Sequence, residues 1–206
     1  MPRSIRGKRC ICIQGMKILD VNKVHGKKIK LADYTHLLAY HACRAEDEQI
    51  YRAQGLKPYT KDEALSDAIH KLEGTRVSRK DIETKFEELW GKQAKSVYLM
   101  LQTTALLGAS CHYLIYGSEF INGLAMHLGC RDILKEIGKP MIIVCTVPIS
   151  DIHKDWLDGL EQAIRRKDTA DRVIVVSSVA AENVVDIIYP TDTVRDPYSW
   201  CHYKLR

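Results

Sequence analysis

The stretch LLAYHACRAEDEQIYRAQGLKP, Leu37 to Pro58, decides how the rest of the chain is read. Its first four residues are continuously apolar, the pattern of a strand buried on both faces. The residues that follow turn polar, with Ile50, Tyr51 and Ala53 on one side. The run then closes on Gly55 and Pro58, a stop for a short helix over 45–54. The pattern predicts a central strand ending near His41 and a helix after it. An imidazole at that place is costly to bury unless something hydrogen-bonds it. His41 is therefore either a satisfied core histidine or a site residue.

Upstream, RCICIQGMKILDV alternates apolar and polar residues on both sides of Gln14-Gly15 and reads as a hairpin. Downstream, Thr60-x-x-Glu63 and Ser78-x-x-Asp81 are capping-box patterns that open two helices within 60–94, separated at Gly74-Thr75 and ended by Gly91. SVYLML (Ser96–Leu101) predicts a strand, and a loop through Gly108, Ala109 and Ser110 follows it. GSEFINGLAMHLG predicts a helix capped by Ser118, KPMIIVCTVPISDI a buried strand ended by Pro148, and DIHKDWLDGLEQAIRRK a helix. DRVIVVSSV and AAENVVDIIYP predict two more strands, and Thr191 to Arg206 an irregular, aromatic tail. Strands and helices do not alternate strictly, so the fold class is α+β.

Composition narrows the function classes. The 206 residues suit one domain, with 46% apolar and 28% charged side chains. No apolar run reaches the roughly 20 residues of a bilayer span, and Gln14, Gly15, Lys17 and Asp20 interrupt any leader-like stretch. The expectation is a cytoplasmic protein without membrane contact. Seven cysteines, an odd number scattered among apolar neighbours, point to reduced thiols. Cys10-x-Cys12 lacks the second pair that a zinc site needs, so no metal is expected. Residues 1–30 hold nine Lys and Arg against the single acid Asp20, while the rest of the chain is net negative. That asymmetry suits either a polyanionic partner or a solvated basic terminus. Phosphate-loop, Rossmann, H-E-x-x-H and G-x-S-x-G signatures are all missing from the sequence.

What remains is an ordered series: a strand with Tyr40-His41-Ala42, a helix running into Gly55-Leu56-x-Pro58, a strand carrying Val97-Tyr98-Leu99, a helix of small residues, and RVIVVSSVAAENVVDIIYP. This series resembles the ADP-ribosyltransferase family, in the clade whose triad is His, Tyr and an acid, including its toxin-like and defence-associated bacterial members. The resemblance covers most of residues 37–190. It implies a split β-sheet core over 31–190 with a helical insert at 60–94, preceded by the basic hairpin of 1–30 and followed by the tail of 191–206. It also implies NAD as substrate and transfer of ADP-ribose to a macromolecular acceptor, RNA or DNA before protein, with an antitoxin as a further partner. A non-catalytic nucleotide- or nucleic-acid-binding module of the same fold is the alternative.

The resemblance assigns residues in turn. His41 holds a ribose hydroxyl while the backbone of Ala42, where the family prefers Gly, meets the nicotinamide amide. Tyr98 covers the nicotinamide face, and Tyr113 or Tyr116 supplies the second wall. A carboxylate stabilises positive charge at C1′ of the ribose, and it is Asp171 or, as rival, Glu119, whose plain reading is a helix first-turn acid. Glu182 reads as a turn residue. Arg44 reaches the pyrophosphate, or else forms a surface ion pair with Glu48. In the tail, Tyr198, Trp200 and Tyr203 among cations suit stacking on bases, or docking on the domain.

Overall fold

The computed structural model describes residues 15–74, 76–91 and 95–206. The first half of the expected N-terminal hairpin, with Cys10 and Cys12, lies outside the described residues. In chain order the elements are β1 (Ile18–Leu19), α1 (Val21–Val24), β2 (His36–Ala45), α2 (Gln49–Gln54), α3 (Lys61–Leu72), α4 (Arg79–Trp90) and β3 (Val97–Met100). There follow α5 (Thr103–Leu107), α6 (His112–Tyr116), α7 (Glu119–His127), β4 (Lys139–Pro148), α8 (Lys154–Leu157), α9 (Leu160–Arg166), β5 (Val173–Val176), β6 (Val184–Ile188), β7 (Thr193–Arg195) and β8 (His202–Lys204).

The central strand is where the apolar run places it, but β2 does not end at His41. It continues to Ala45 because β4 pairs with it over its whole length, from His36↔Pro148 to Ala45↔Lys139. Ladder pairing thereby overrides the local switch to polar sequence, and the helix that follows shrinks to α2. Both capping boxes form: Thr60 accepts from the Glu63 N–H and Ser78 from the Asp81 N–H. The helix predicted over 151–167 breaks into α8 and α9 at Gly159, whose φ is +71°. The segment read as a loop after β3 instead holds α5 and α6, and the tail forms the β7–β8 hairpin.

The mixed helices and antiparallel sheet bear out the α+β reading. Strand order is β5-β3-β2-β4-β6, with β1 running parallel to the start of β2. One face of the sheet carries Leu37, Ala39 and Cys43 of β2 with Leu99, Ile143 and Ile174, covered by Val21, Leu56, Leu160 and Ile164. The other carries Leu38, Tyr40 and Ala42 with Ile142 and Val144, covered by Phe86, Leu114, Ile115 and Leu124 of the helical layer. We call these the first and second faces. Each fully buried aliphatic side chain contributes about 1.5–3 kcal/mol, so two such cores fix the strand register from both sides.

The sheet opens along one line. β3 pairs with β5 at four consecutive positions, yet it meets β2 at the single pair Tyr40↔Met100. Beyond that pair, toward His41 and Tyr98, the two strands part.

Candidate functional site

His41 stands at this seam. Its Nδ1 lies 3.0 Å from the backbone carbonyl of Tyr98. A carbonyl can only accept, so Nδ1 carries the proton and Nε2 is left as an acceptor. Burial lowers the pKa of the ring, and the Tyr98 carbonyl opposes this only in part. The imidazole is therefore neutral over the physiological range. The carbonyl that the opened ladder leaves without a strand partner is what makes a histidine tolerable inside this strand.

His41 and Tyr98 touch through the backbone, while their rings leave the sheet on opposite faces. Strand alternation sets this. His41 lies in the same phase as Ala39 and Cys43 of the first face, whereas Tyr98 lies between Val97 and Leu99 of that face and so points to the second. A slot walled by these two rings does not form.

On the second face, Tyr98 is 48% exposed. Its phenol adds to the electrostatic field at Tyr113, whose pKa burial, with the charge of Glu119 next, pushes up to about 12. The His112 and Tyr113 rings are 4.1 Å apart, and His112 Nε2 lies 3.1 Å from a Glu119 carboxylate oxygen. His112 and Tyr113 both hydrogen-bond Glu119, His112 foremost, and hold its pKa down against the effect of burial. The placement follows from local sequence. Ser118 caps α7 by accepting from the Ile121 N–H, which sets Glu119 in the first turn. Gly117 at φ +85° turns the chain back so that α6 and α7 meet at their near ends.

The structure thus brings together Tyr113 and Glu119 with His112, sets the exposed Tyr98 on the same side of the sheet, and leaves the other predicted residues elsewhere. Arg44 is buried and donates to the carbonyls of Ile137 at 2.9 Å and Lys135 at 2.5 Å, so it neither faces a pyrophosphate nor pairs with Glu48. Glu48 pairs with Arg52 instead. Tyr116 is buried with its hydroxyl bound to Asp196, which removes it as a slot wall. Ala42 is buried on the second face, paired with Ile142. Asp171 is an exposed turn residue before β5, while Tyr98 pairs with Val175 four residues on. That offset is about 13 Å along a strand, whereas Glu119 hydrogen-bonds Tyr113. Glu182 sits exposed in the short 3-10 turn Ala181–Asn183, as read.

Three participants were not singled out from sequence. His112 had no signal beyond lying seven residues before Glu119. Asn122 is buried on α7, its Nδ2 donating to the Tyr198 hydroxyl at 3.0 Å while its Oδ1 has no partner among the described residues. Asp196, in the Asp-Pro-Tyr-Ser-Trp turn, is 1% exposed and accepts from the Tyr116 hydroxyl at 2.5 Å, the Ser199 hydroxyl at 2.8 Å and the Tyr198 N–H at 3.0 Å. An Asp-Pro-x-Ser run is a turn signal that could have flagged it.

Burial pushes the Asp196 carboxyl up, but the Tyr116, Tyr198 and Ser199 bonds and the Lys135 ammonium outweigh it and hold the pKa at about 2. Because the folded value lies below the unfolded one, this contribution is complete above the ordinary carboxylate range and is lost as pH falls toward 2. By linkage it amounts to roughly 2 kcal/mol. Urea melts from pH 6 down to pH 2 should show Asp196→Asn less stable than wild type at the top of the window, with the gap closing toward the bottom. Parallel curves would remove Asp196 as the acid-sensitive group. The exposed Glu63 titrates in the same range but is common to both proteins.

Two shallow hollows, one beside Lys80 and His127 and the other beside Lys139 and Tyr189, are lined by none of these residues. No family model matches the chain, and neither curated proteins nor solved structures gave a match. Among the described residues no helix is long and apolar enough to cross a membrane.

Proposed function

We propose that the chain is an NAD-dependent mono-ADP-ribosyltransferase acting on a macromolecular acceptor, with its reacting centre at the Tyr98–Tyr113–Glu119–His112 cluster. The observation that carries this reading is the Glu119 carboxylate held by His112 and Tyr113, on the side of the sheet to which the exposed Tyr98 points. Tyr98, exposed on β3, offers its ring face to a nicotinamide, and Tyr113, packed against the core of the same face, supplies the second wall. Glu119, held by His112 and Tyr113, keeps its negative charge and stabilises the cation that develops at C1′ of the ribose. The C1′–N bond breaks, nicotinamide departs with the electron pair, and the acceptor's nucleophile bonds to C1′ and gives its proton to the His112 imidazole.

Incubation with NAD labelled in the adenylate moiety, together with separate pools of RNA, DNA and protein, tests this. Label should appear in one pool, and transfer should fall at least about a hundredfold in Glu119→Gln and Tyr98→Ala. Wild type that releases no nicotinamide and labels no pool rejects the reading. The second reading, a nucleotide-binding module without chemistry, is favoured by the His41 imidazole, whose Nδ1 is already committed to the Tyr98 carbonyl. It predicts heat of NAD binding without nicotinamide release.

A further inference from the structure

The geometry points to the Asp196–Trp200 turn as a stacking platform for single-stranded nucleic acid, set next to the candidate reacting centre. As acceptor surface it rests on the transferase reading; as a binding surface it stands on its own.

The turn is built to hold its rings out. β7 and β8 are closed by Asp196 N–H donating to the Cys201 carbonyl at 2.9 Å and Trp200 N–H donating to the Asp196 carbonyl at 2.8 Å. Underneath, the buried Asp196 carboxylate ties the turn to Tyr116 of α6 and to Lys135, 3.4 Å away. This fixed frame holds Trp200 at φ +61°, a left-handed conformation that bulky side chains seldom adopt. The result is an indole 64% exposed to solvent. A bulky ring kept outside in an unfavourable backbone conformation serves no packing purpose, and such outliers concentrate at functional sites.

Both exposed rings of the turn carry a guanidinium. The Arg195 Cζ lies 4.8 Å from the Trp200 ring centroid, and the Arg131 Cζ lies 4.3 Å from that of Tyr198. Among the described residues neither arginine has a carboxylate within ion-pair distance, and the nearby acids Asp132 and Asp196 are both engaged by Lys135. The Arg195 Nε–H reaches the Trp200 carbonyl at 3.4 Å, and exposed rings alternating with guanidinium groups that no carboxylate neutralises match the alternation of bases and phosphates along a single strand. A duplex keeps its bases stacked on each other and cannot use the rings in this way. Tyr198 also lies 6.1 Å from the His112 ring, so a strand stacked on the turn has a neighbouring nucleotide at the Glu119 cluster.

The test is fluorescence anisotropy of labelled oligothymidylate and oligouridylate, with the same sequence as a duplex for comparison, across a salt series and without NAD. Wild type should bind single strands more tightly than duplex. Trp200→Ala should weaken binding about tenfold, the effect of losing one stacked base. Arg131→Gln should flatten the slope of log affinity against log salt by about 0.7, one phosphate contact fewer. Trp200 lies outside the core, so an unchanged melting temperature will show that its replacement leaves the fold intact. Failure of wild type to bind, tighter binding to duplex, or an affinity that Trp200→Ala leaves unchanged because residues 1–30 carry it would each overturn the assignment. So would a Trp200 emission shift with polyglutamate but none with oligonucleotides, which would make the turn a protein-binding surface. Since NAD is absent, failure here is distinct from failure of the transferase reading.

Discussion

Gly55→Ala is expected to destabilise the protein by more than about 3 kcal/mol and to lower its melting temperature by roughly 6–12 °C. Gly55 closes α2 at φ +73° and ψ −151°, a region open in practice only to glycine. A Cβ built there would stand 2.0 Å from the Val179 carbonyl oxygen and 2.8 Å from the Ala180 carbonyl carbon. Backbone cannot step aside as a side-chain end can, because Leu56 and Val179 exchange two hydrogen bonds of 2.8 Å across this contact. That exchange matters to the whole fold. β5 and β6 lie at opposite edges of the sheet, so the chain from Ser177 to Asn183 must cross a face, and the Leu56 pairing pins the crossing onto the first one. Gly123→Ala is the control: it sits inside α7 with nothing near its missing Cβ and should gain about 0.5–1 kcal/mol. Equal melting temperatures for Gly55→Ala and wild type would show that the crossing is not held here.

Arg44→Ala should cost about 3–5 kcal/mol, measured by urea unfolding. The guanidinium is buried and gathers carbonyls from distant parts of the chain, Ile137 and Lys135 at hydrogen-bond distance, with Leu114 and Arg206 each at 3.5 Å. Removing it orphans the nearer acceptors and opens a hole between β2, α6 and the C-terminus. Arg44→Lys should recover less than half of the loss, since an ammonium cannot spread donors over a planar fork. The outcome also separates two roles. A residue binding pyrophosphate would raise the Michaelis constant for NAD and leave stability alone. Here stability should fall while the constant measured on the folded fraction stays the same; the reverse pattern would put Arg44 back in the ligand site.

Much of the local structure is legible in the sequence because its causes are local. Thr60 and Glu63, or Ser78 and Asp81, lie three residues apart and satisfy each other's backbone whatever the rest of the chain does. Gly55 as a helix stop and the apolar runs of β4 and β5 are of the same kind. The site was half legible. Tyr113 and Glu119, both singled out, do meet, and Tyr98 points to the same side of the sheet. His41 was found too, but its ring lies behind the sheet from Tyr98. Arg44 and Tyr116 carry the functional groups of a ligand site and spend them on the interior, on Lys135 and Asp196 in turn. Their partners lie 91 and 80 residues away in sequence, and no short-range pattern encodes such a distance.

The sequence by itself determined the capped helices, the apolar strands and the two-residue period that puts Ala39, His41 and Cys43 in one phase and Tyr98 in the opposite phase to Val97 and Leu99. It could not determine the faces, because that period fixes only relative phase within a strand. Which phase of β3 shares a face with which phase of β2 depends on the one pair, Tyr40↔Met100, at which the strands meet. That pair sends the two rings apart, frees the Tyr98 carbonyl for the His41 imidazole and leaves the Tyr98 ring exposed on the second face. Only the packed tertiary structure could decide it, because two cores, one on each face, must be buried together.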